Sequence, residues 1–271
     1  MTGQLEQLGL TEEQIAFYRE NGFVQVDNVL TADEIAELTC YIEEAMAEKG
    51  ALAFQNSEGE SRSSYYRVLN QKVNTWRDHA GMARYTTHPK LAQIALRLSG
   101  ADGIRLFHDH ALWKMPQDSK PTPWHQDFVY WPMHELGKTA LSAWIPLDDV
   151  DESNGCMMFI PGSHEAGMLP GISLSDPQDI FEYVQGTDLD KKKPVMVPLR
   201  KGSCTFHNGL TFHYAHANRT DNPRRVLAII YFPDGTTYNG KKHVITDPCE
   251  FQAGEPIQGG LFPLLASNQR A

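Results

Sequence analysis

With 271 residues, 41% of them hydrophobic, the chain is long enough to bury one large core, and we expect a single domain over residues 1–271. Its 24 lysines and arginines are outnumbered by 34 aspartates and glutamates, and the formal net charge of −10 argues against a general affinity for nucleic acid or anionic membranes. The four scattered cysteines form no C-x-x-C pair, and the chain shows neither an N-terminal apolar segment nor an apolar run of membrane length, so we expect a cytoplasmic protein with reduced thiols.

Three helices are predicted in the first part of the chain. Thr11 and Thr31 each begin a capping box, in which a threonine is followed three residues later by glutamine or glutamate. The first of these helices should end at Gly22, because glycine readily adopts the left-handed conformation of a C-terminal cap. Pro89 and Gly100 mark the two ends of a third, amphipathic helix.

Beyond these helices the helical period gives way to short apolar segments separated by turn residues. The predicted strands lie at 23–26, 103–115, 141–145, 156–160, 195–199, 204–206 and 226–232. Many short strands after a helical beginning favour a β-sandwich or barrel flanked by helices. We therefore expect a helical part over about residues 1–100 and a mainly β core over about 103–235.

The predicted strand 103–115 carries two histidines. Strict alternation places His108 and His110 on the same face as Ile104, Leu106 and Leu112, and this apolar face should point inward. We therefore expect both imidazoles to face the core.

The sequence Trp124-His125-Gln126-Asp127 indicates a metal site. If it forms a β-strand, His125 and Asp127 project from the same face, so that imidazole and carboxylate can converge on one ion. An oxygenase iron needs ligands on one face of its octahedron, with the remaining positions left to oxygen and an organic cosubstrate, and two histidines with one carboxylate meet that need. The third ligand has to come from a later strand, and we assign it to His213.

An H-x-D pair by itself is a weak signal, because two polar residues on the exposed face of a strand are common. Here it is accompanied by Pro-Gly-Ser-His at 161–164, Gly-Ser-Cys-Thr-Phe at 202–206, His213 and the pair Arg224-Arg225, in that order. Strand alternation places the two arginines on opposite faces, so only one of them can point into the β core.

Residues 165–194 show no clear period and include a run of three lysines. A structureless insertion of that length in a compact domain commonly covers a site. We therefore interpret 165–194 as a candidate lid and its lysines as solvated.

These features resemble the phytanoyl-CoA dioxygenase family of non-haem iron(II) and 2-oxoglutarate-dependent oxygenases. The resemblance runs from Phe17-Tyr18 and Phe23 through Trp-Lys-Met-Pro at 113–116, Trp-His-Gln-Asp at 124–127, Asn154-Gly155 and Ile-Pro-Gly-Ser-His at 160–164 to His213. It implies a double-stranded β-helix, the cupin-like jelly roll. It also implies that His125, Asp127 and His213 bind iron and that Arg224 binds 2-oxoglutarate.

The resemblance implies further contacts with the cosubstrate. These come from Lys72, His110, Gln126 and Trp144. The family often has a serine two residues after the distal histidine, where this chain has Ala215, so one carboxylate contact is missing unless His216 replaces it. Arg225 is expected to be solvated.

The activity implied by the resemblance is hydroxylation of an unactivated C–H bond. The substrate would be a small molecule, whether a natural product, an amino acid or an acyl derivative, with 2-oxoglutarate and O2 giving succinate and CO2. No catalytic residue beyond the metal ligands is implied, and Asp127 argues against a halogenase, in which a small residue replaces the carboxylate. No nucleic acid or membrane partner is expected, and no sequence feature specifies an oligomeric state.

Two alternatives belong to other classes. One is a cupin-type metalloenzyme with zinc or manganese on His108 and His110, although Lys114 stands where that pattern needs a carboxylate. The other is a jelly-roll binding module in which the histidines are structural. Turnover of 2-oxoglutarate distinguishes this last alternative from an oxygenase.

Overall fold

A computed structural model describes residues 2–48, 54–55, 69–116, 120–169 and 181–268. Its helices are α1 (Thr2–Leu8), α2 (Glu12–Asn21), α3 (Ala32–Ala47), α4 (Ala80–Thr86), α5 (Pro89–Ser99) and α6 (Phe181–Val184). Its strands are β1 (Phe23–Val26), β2 (Phe54–Gln55), β3 (Leu69–Val73), β4 (Gly103–Lys114), β5 (Thr122–His125), β6 (Leu141–Pro146), β7 (Met157–Phe159), β8 (Val195–Val197), β9 (Cys204–Asn208), β10 (His213–Ala215), β11 (Arg224–Pro233) and β12 (Leu264–Ser267). Within the described part of the chain, no helix combines the length and the apolar character needed to cross a bilayer.

The predicted helix ends are confirmed. In the first capping box the backbone N–H of Gln14 donates to Thr11 Oγ1 at 3.1 Å, and the backbone N–H of Thr11 donates to Gln14 Oε1 at 2.9 Å. The second capping box forms in the same way at the start of α3. Gly22 ends α2 with φ 80°, and α5 begins at Pro89 and ends at Gly100.

The strands form two antiparallel sheets. The large sheet has eight strands in the order β1-β9-β6-β11-β4-β3-β2, with β12 also paired to β4, and the small sheet has the order β5-β10-β7-β8. Helices α3, α4 and α5 pack on the large sheet, and the small sheet faces its other side. The expected mainly β architecture with flanking helices, a jelly roll, is therefore confirmed.

The two faces of the large sheet enclose separate cores. The outer face buries apolar residues against the helices, among them Leu38, Ile42, Leu91, Ala143, Phe206, Leu227 and Ile229. The inner face and the small sheet bury a second cluster that includes Trp144, Phe159, Ala215, Val226 and Ala228. Because side chains alternate along each strand, the functional groups that the large sheet contributes belong to its inner face.

Strand β4 departs from strict alternation at Phe107. The register with β11 shifts between Ile230 and Tyr231, whose partners are His108 and Leu106, so Phe107 is an extra residue and forms a β-bulge. Leu106 consequently belongs to the outer core, whereas Phe107 joins an inner aromatic cluster. The expected common face for all alternate residues of this strand is therefore wrong on the N-terminal side of the bulge.

Part of the candidate lid, residues 170–180, lies outside the described residues. On its C-terminal side, Val184 and Leu189 are buried against Ile160 and Phe212. The three lysines are exposed, as expected, and the Nζ of Lys192 also donates to the carbonyl of Pro161 at 2.8 Å, which anchors the segment.

Candidate metal centre and cosubstrate site

The three predicted metal ligands converge between the sheets, but not by the predicted local geometry. His125 is the last residue of β5 and is paired directly with His213, the first residue of β10. Asp127 lies beyond the strand, with φ −70° and ψ −42°, at the start of the 3-10 turn Phe128–Tyr130. The expectation that His125 and Asp127 share one strand face is wrong, since the turn brings the carboxylate back towards the imidazoles.

The donor atoms are close enough to hold one ion. Asp127 Oδ1 lies 3.3 Å from His125 Nε2 and 3.6 Å from His213 Nε2. Among the described residues, these three form the one group of histidine, cysteine, aspartate or glutamate whose ligand atoms all lie within 4.8 Å of one another. The other ring nitrogens are used, because His125 Nδ1 donates to the carbonyl of Pro123 at 2.7 Å and His213 Nδ1 donates to that of Thr211 at 3.0 Å. Each imidazole therefore presents a bare Nε2 to the centre.

The charges of the site suit a divalent cation. Burial would raise the pKa of Asp127, but the neighbouring His213, His125 and His207 together hold it well below its ordinary value. Burial, and then the proximity of His125, lowers the pKa of His213 well below its usual range. At pH 7 the site thus offers an ionised carboxylate and a neutral distal imidazole. Two imidazole nitrogens and one carboxylate oxygen that converge on one point fit iron(II).

Gly209 allows the turn that carries Asp127 to approach the loop between β9 and β10. The backbone N–H of Phe128 donates to the carbonyl of Gly209 at 2.8 Å. A Cβ at position 209 would lie 2.6 Å from the ring of Trp131 and 3.3 Å from Phe128 Cβ. Any larger residue would therefore clash with the ring of Trp131 and crowd the turn that carries Asp127.

Arg224 lies on the inner face at the start of β11. Its guanidinium carbon is 5.3 Å from the ring centroid of Trp144, and its side chain is buried. Lys114 is its direct neighbour across the β4–β11 pair and is also buried. Burial, and next the charge of Arg224, lowers the pKa of Lys114 well below its usual value. The two side chains form a buried basic pair on the inner face.

The basic pair is joined to the metal centre through β10. Lys114 Nζ donates to the carbonyl of Ala215 at 2.9 Å and also to that of His216. Gly155, with φ 106°, packs against the pair, since a Cβ there would lie 2.7 Å from the carbonyl oxygen of His216 and 3.5 Å from Arg224 Nε. His213 is two residues before Ala215, so the basic pair lies roughly 6–7 Å along the strand from the distal ligand.

The family's serine is absent at Ala215, and the suggested replacement, His216, packs against an aromatic neighbour. The ring of His216 lies edge-on against Tyr214, with centroids 5.1 Å apart, and Tyr214 in turn stacks on Trp124. Lys114 is the polar side chain that reaches the backbone of Ala215. Apart from its position within the Trp-Lys-Met-Pro motif, no sequence feature predicts that Lys114 belongs to the site.

Two of the expected cosubstrate contacts are brought to the inner face. Trp144 lies against Arg224, as described above. His110 is on the inner face of β4, where its Nε2 is 2.9 Å from Gln71 Oε1. Burial lowers the pKa of His110 to about 4, against the opposing charge of Asp127. His110 is therefore a neutral group near the carboxylate.

The other two expected contacts have different partners. Lys72 is paired with Ala111 on the outer face, and its Nζ donates to the carbonyls of Ala45 and Glu48 at the end of α3, so it does not enter the site. Gln126 Nε2 donates to Gly167 and Leu210, and its Oε1 accepts from Leu169, so both ends of this amide hold loops together. Lys72 points away from the site because alternation along β3 places it on the outer face. Gln126 points away because the chain turns directly after His125.

The cupin alternative receives no support from the geometry. His108 Nδ1 is 3.1 Å from the carbonyl of Asp109, and His110 Nε2 is held by Gln71. Burial, and then His110, lowers the pKa of His108 to about 3. Neither histidine belongs to a potential metal group within the described part of the chain.

Sequence reasoning also missed two groups on the far side of Asp127. These are His207 on β9, whose Nε2 is 3.5 Å from Asp127 Oδ2, and Ser142 on β6, whose Oγ donates to the same oxygen at 3.2 Å. The sequence signal for His207 is its place two residues after Thr205 and next to Phe206 in the strand Cys-Thr-Phe-His-Asn, all of whose residues are buried in the structure.

Comparisons with known proteins agree with this geometry. The phytanoyl-CoA dioxygenase (PhyH) family profile matches residues 18–226. The peroxisomal phytanoyl-CoA dioxygenase of Mus musculus is 25% identical over 230 residues, covering 81% of this chain and 67% of that protein.

Solved structures are similar over almost the whole chain. The non-heme alpha ketoglutarate dependent carbocyclase SnoK from nogalamycin biosynthesis has a TM-score of 0.78 and 30% identity, covering 95% of this chain and 97% of that one. The epimerase SnoN, in complex with Fe3+, alpha ketoglutarate and nogalamycin RO, has a TM-score of 0.77 and 31% identity, covering 98% and 100%.

Proposed function

Because the chain belongs to the phytanoyl-CoA dioxygenase family of iron- and 2-oxoglutarate-dependent oxygenases, we propose that it oxidises an unactivated C–H bond of a small natural product. The observation that carries this proposal is the convergence of His125, Asp127 and His213, with their bare donor atoms, on one point between the sheets. The cofactors of this family are iron(II), 2-oxoglutarate and O2. Together they supply an oxidant that removes hydrogen from the substrate, with release of succinate and CO2.

The inner face suits a five-carbon dicarboxylate. Arg224 offers a planar fork that can bind a carboxylate through two parallel hydrogen bonds, and its guanidinium carbon lies over the ring of Trp144. The separation of two strand residues between His213 and Ala215, roughly 6–7 Å, is comparable to the length of 2-oxoglutarate. One end of the cosubstrate can thus reach the metal ligands while the other meets Arg224.

Two observations favour a natural product over an acyl-CoA ester. The structural likeness to SnoK and SnoN extends over 95% and 98% of this chain, and both act in, or bind a compound of, nogalamycin biosynthesis. The net charge of −10 disfavours a ligand that carries several phosphate charges. Hydroxylation is the simplest outcome of hydrogen removal and is the reaction we assign.

The test is aerobic turnover with iron(II), measured as succinate release across a panel of polycyclic aromatic natural products, amino acids and acyl-CoA esters. We expect succinate release to rise with a member of the first group and a product that has gained one oxygen atom. Asp127→Ala should remove both signals. Succinate release that is equally fast in Asp127→Ala would overturn the assignment of the metal centre.

The reactions described for the similar enzymes favour a second outcome of the same hydrogen removal. SnoK is described as a carbocyclase and SnoN as an epimerase, so the same hydrogen removal can end in ring closure or inversion. The product mass distinguishes these results, because ring closure removes two hydrogen atoms and inversion leaves the mass unchanged. Either result would replace hydroxylation and leave the role of the metal centre intact.

A further inference from the structure

A third histidine lies beside the metal ligands, on the opposite side of Asp127. His207 belongs to the inner face of β9 and is almost fully buried, with 3% of its side chain exposed. Its Nε2 is 3.5 Å from Asp127 Oδ2, and Ser142, its direct partner on β6, donates to the same oxygen at 3.2 Å. Two neighbouring strands of the large sheet therefore present polar groups to one carboxylate oxygen.

The two oxygens of Asp127 have different surroundings. Oδ1 faces the Nε2 atoms of His125 and His213, at 3.3 and 3.6 Å. Oδ2 faces His207 and Ser142 instead. The carboxylate is thus oriented with one oxygen towards the metal ligands and the other towards the large sheet.

The proton of His207 can be assigned from its contacts. Its Nδ1 is buried and has no hydrogen-bond partner among the described residues. A protonated Nδ1 would be a buried donor without an acceptor, which is the less tolerated form of an unsatisfied group, so Nε2 carries the proton and points it at Asp127. The distance of 3.5 Å is at the outer limit of a hydrogen bond, and such contacts commonly shorten when a site is filled.

The ring of His207 has little freedom to turn away. Its centroid lies 4.6 Å from that of His213 and 5.4 Å from that of Phe159. These rings hold the imidazole at a fixed distance from Asp127 Oδ2.

We propose that His207, assisted by Ser142, is a positioning residue that occupies Oδ2 of Asp127 and so limits this carboxylate to binding the metal through Oδ1. The inference rests on the proposed function. A carboxylate that binds through both oxygens takes two coordination positions, and one of them would be lost to 2-oxoglutarate or oxygen. His207 therefore governs access of the cosubstrate to the metal, whereas iron is still bound without it.

The test compares three variants of β9. His207→Leu removes the donor, His207→Gln keeps an N–H at a similar reach, and Thr205→Val is the matched control. Thr205 lies two residues earlier on the same face, is fully buried, and its Oγ1 has no hydrogen-bond partner in the described part of the chain. The readouts are the iron content per chain, the thermal midpoint of the metal-free protein, and anaerobic titration of 2-oxoglutarate followed by its metal-to-ligand absorption band.

We expect His207→Leu to retain iron but to bind 2-oxoglutarate about tenfold more weakly, the effect of losing one hydrogen bond to a charged group. His207→Gln should restore most of that affinity, and Thr205→Val should match the wild type. In turnover, His207→Leu should raise the KM for 2-oxoglutarate more than it lowers kcat.

Three results would overturn the inference. Unchanged cosubstrate affinity in His207→Leu would show that Asp127 is held by other groups. A loss shared equally by the leucine and glutamine variants would indicate ring packing instead of a hydrogen bond. If the wild type itself binds iron but forms no absorption band with 2-oxoglutarate, the proposed function fails, and this inference fails with it.

Discussion

The outer and inner faces of the large sheet both bury polar groups, yet they use them differently. On the outer face, Asp109 accepts hydrogen bonds from the backbone of Thr75 and Trp76 and from the hydroxyls of Thr75 and Thr86. On the inner face, His207 and Ser142 both turn to Asp127, which in turn faces two further imidazoles. The outer group joins elements of the fold, whereas the inner groups converge on one point.

The adjacent residues Arg224 and Arg225 show the difference between the two faces most clearly. Arg224 points inward beside Trp144, while Arg225 donates to Asp148 from Nε at 3.2 Å and from Nη2 at 2.7 Å and also pairs with Glu43. The expectation that Arg225 is solvated is therefore wrong, because it ties β11 to a turn and to α3. Burial and charge alone do not distinguish a structural group from a functional one. The distinguishing feature is the face of the strand, since the functional groups of the large sheet lie on its inner face.

The largest contrast should appear between the two buried aspartates. Asp127→Ala removes a metal ligand from a preformed pair of histidines, so turnover should be lost while the thermal midpoint changes little. Asp109→Ala leaves several buried donors without an acceptor and should lower the free energy of unfolding by on the order of 3 kcal/mol. Succinate release, iron content and thermal unfolding of both variants provide the measurement. A strongly destabilised Asp127→Ala with normal iron content would contradict the division between the faces.

The adjacent arginines give the next contrast. Arg224→Met should weaken 2-oxoglutarate binding by about 10², since a bidentate pair with a carboxylate contributes roughly 2–3 kcal/mol. Arg225→Met should leave that affinity unchanged and instead lower stability by about 1 kcal/mol, because its ion pairs are partly exposed. Anaerobic titration of the cosubstrate and denaturant unfolding separate the two effects. A larger titration defect in Arg225→Met would mean that the inward arginine has been misassigned.

Much of the fold follows from local rules in the sequence. Both capping boxes and the glycines at 22 and 100 act within one or two turns of chain, and the helices form where these rules place them. The bulge at Phe107 does not follow from the sequence, because Leu106 and Phe107 are both apolar and either of them can be buried on the inner face. The position of the bulge depends on the register between β4 and β11, and the sequence of β4 alone does not determine that register.

Some features of the site also depend on contacts between distant parts of the chain and could not be predicted from local sequence. The residues at 125, 127 and 213 were named from their chemistry, but the turn that places Asp127 depends on the fit of Gly209 under Trp131, a contact between distant parts of the chain. His207 and Ser142 become recognisable only when β6 and β9 are paired. The position of Lys72 on the outer face is not predictable for a related reason, because the face of β3 depends on its register with β4.

The two faces should also respond to pH with opposite signs. Burial, followed by the effect of His110, lowers the pKa of His108 to about 3, so below pH 6.5 the unfolded chain takes up a proton that the folded chain refuses, and stability falls as pH falls from 6.5. Burial raises the pKa of Asp109 to about 6 even though its four donors oppose the shift, so between about pH 6 and 4 the folded chain binds the extra proton and stability rises on acidification.

Unfolding by denaturant at a series of pH values between about 6.5 and 4.5 tests these signs. His108→Phe should flatten the acid loss of stability by about 1.4 kcal/mol per pH unit, and Asp109→Asn should steepen it by a similar amount. The wild type provides the reference slope for each. A steeper loss in His108→Phe would mean that this imidazole is charged in the folded protein.

The last contrast concerns Lys72, which the family resemblance places at the cosubstrate and the structure places at the end of α3. Its Nζ donates to the carbonyls of Ala45 at 2.7 Å and Glu48 at 2.9 Å, and such a contact satisfies carbonyls that a helix end leaves open and complements their negative partial charge. Lys72→Met keeps the length of the side chain and removes only these bonds, so stability should fall by about 1–2 kcal/mol with no change in the KM for 2-oxoglutarate.

Lys90→Met is the matched control for Lys72, because Lys90 Nζ also donates to two backbone carbonyls, those of Asn28 and Val29, but from a more exposed position. It should destabilise the protein by less, since water replaces the lost bonds at an exposed site. Thermal unfolding ranks the two variants, and steady-state turnover gives the KM. A raised KM in Lys72→Met without any loss of stability would show that this lysine contacts the cosubstrate. Its side chain would then lie on the inner face of β3.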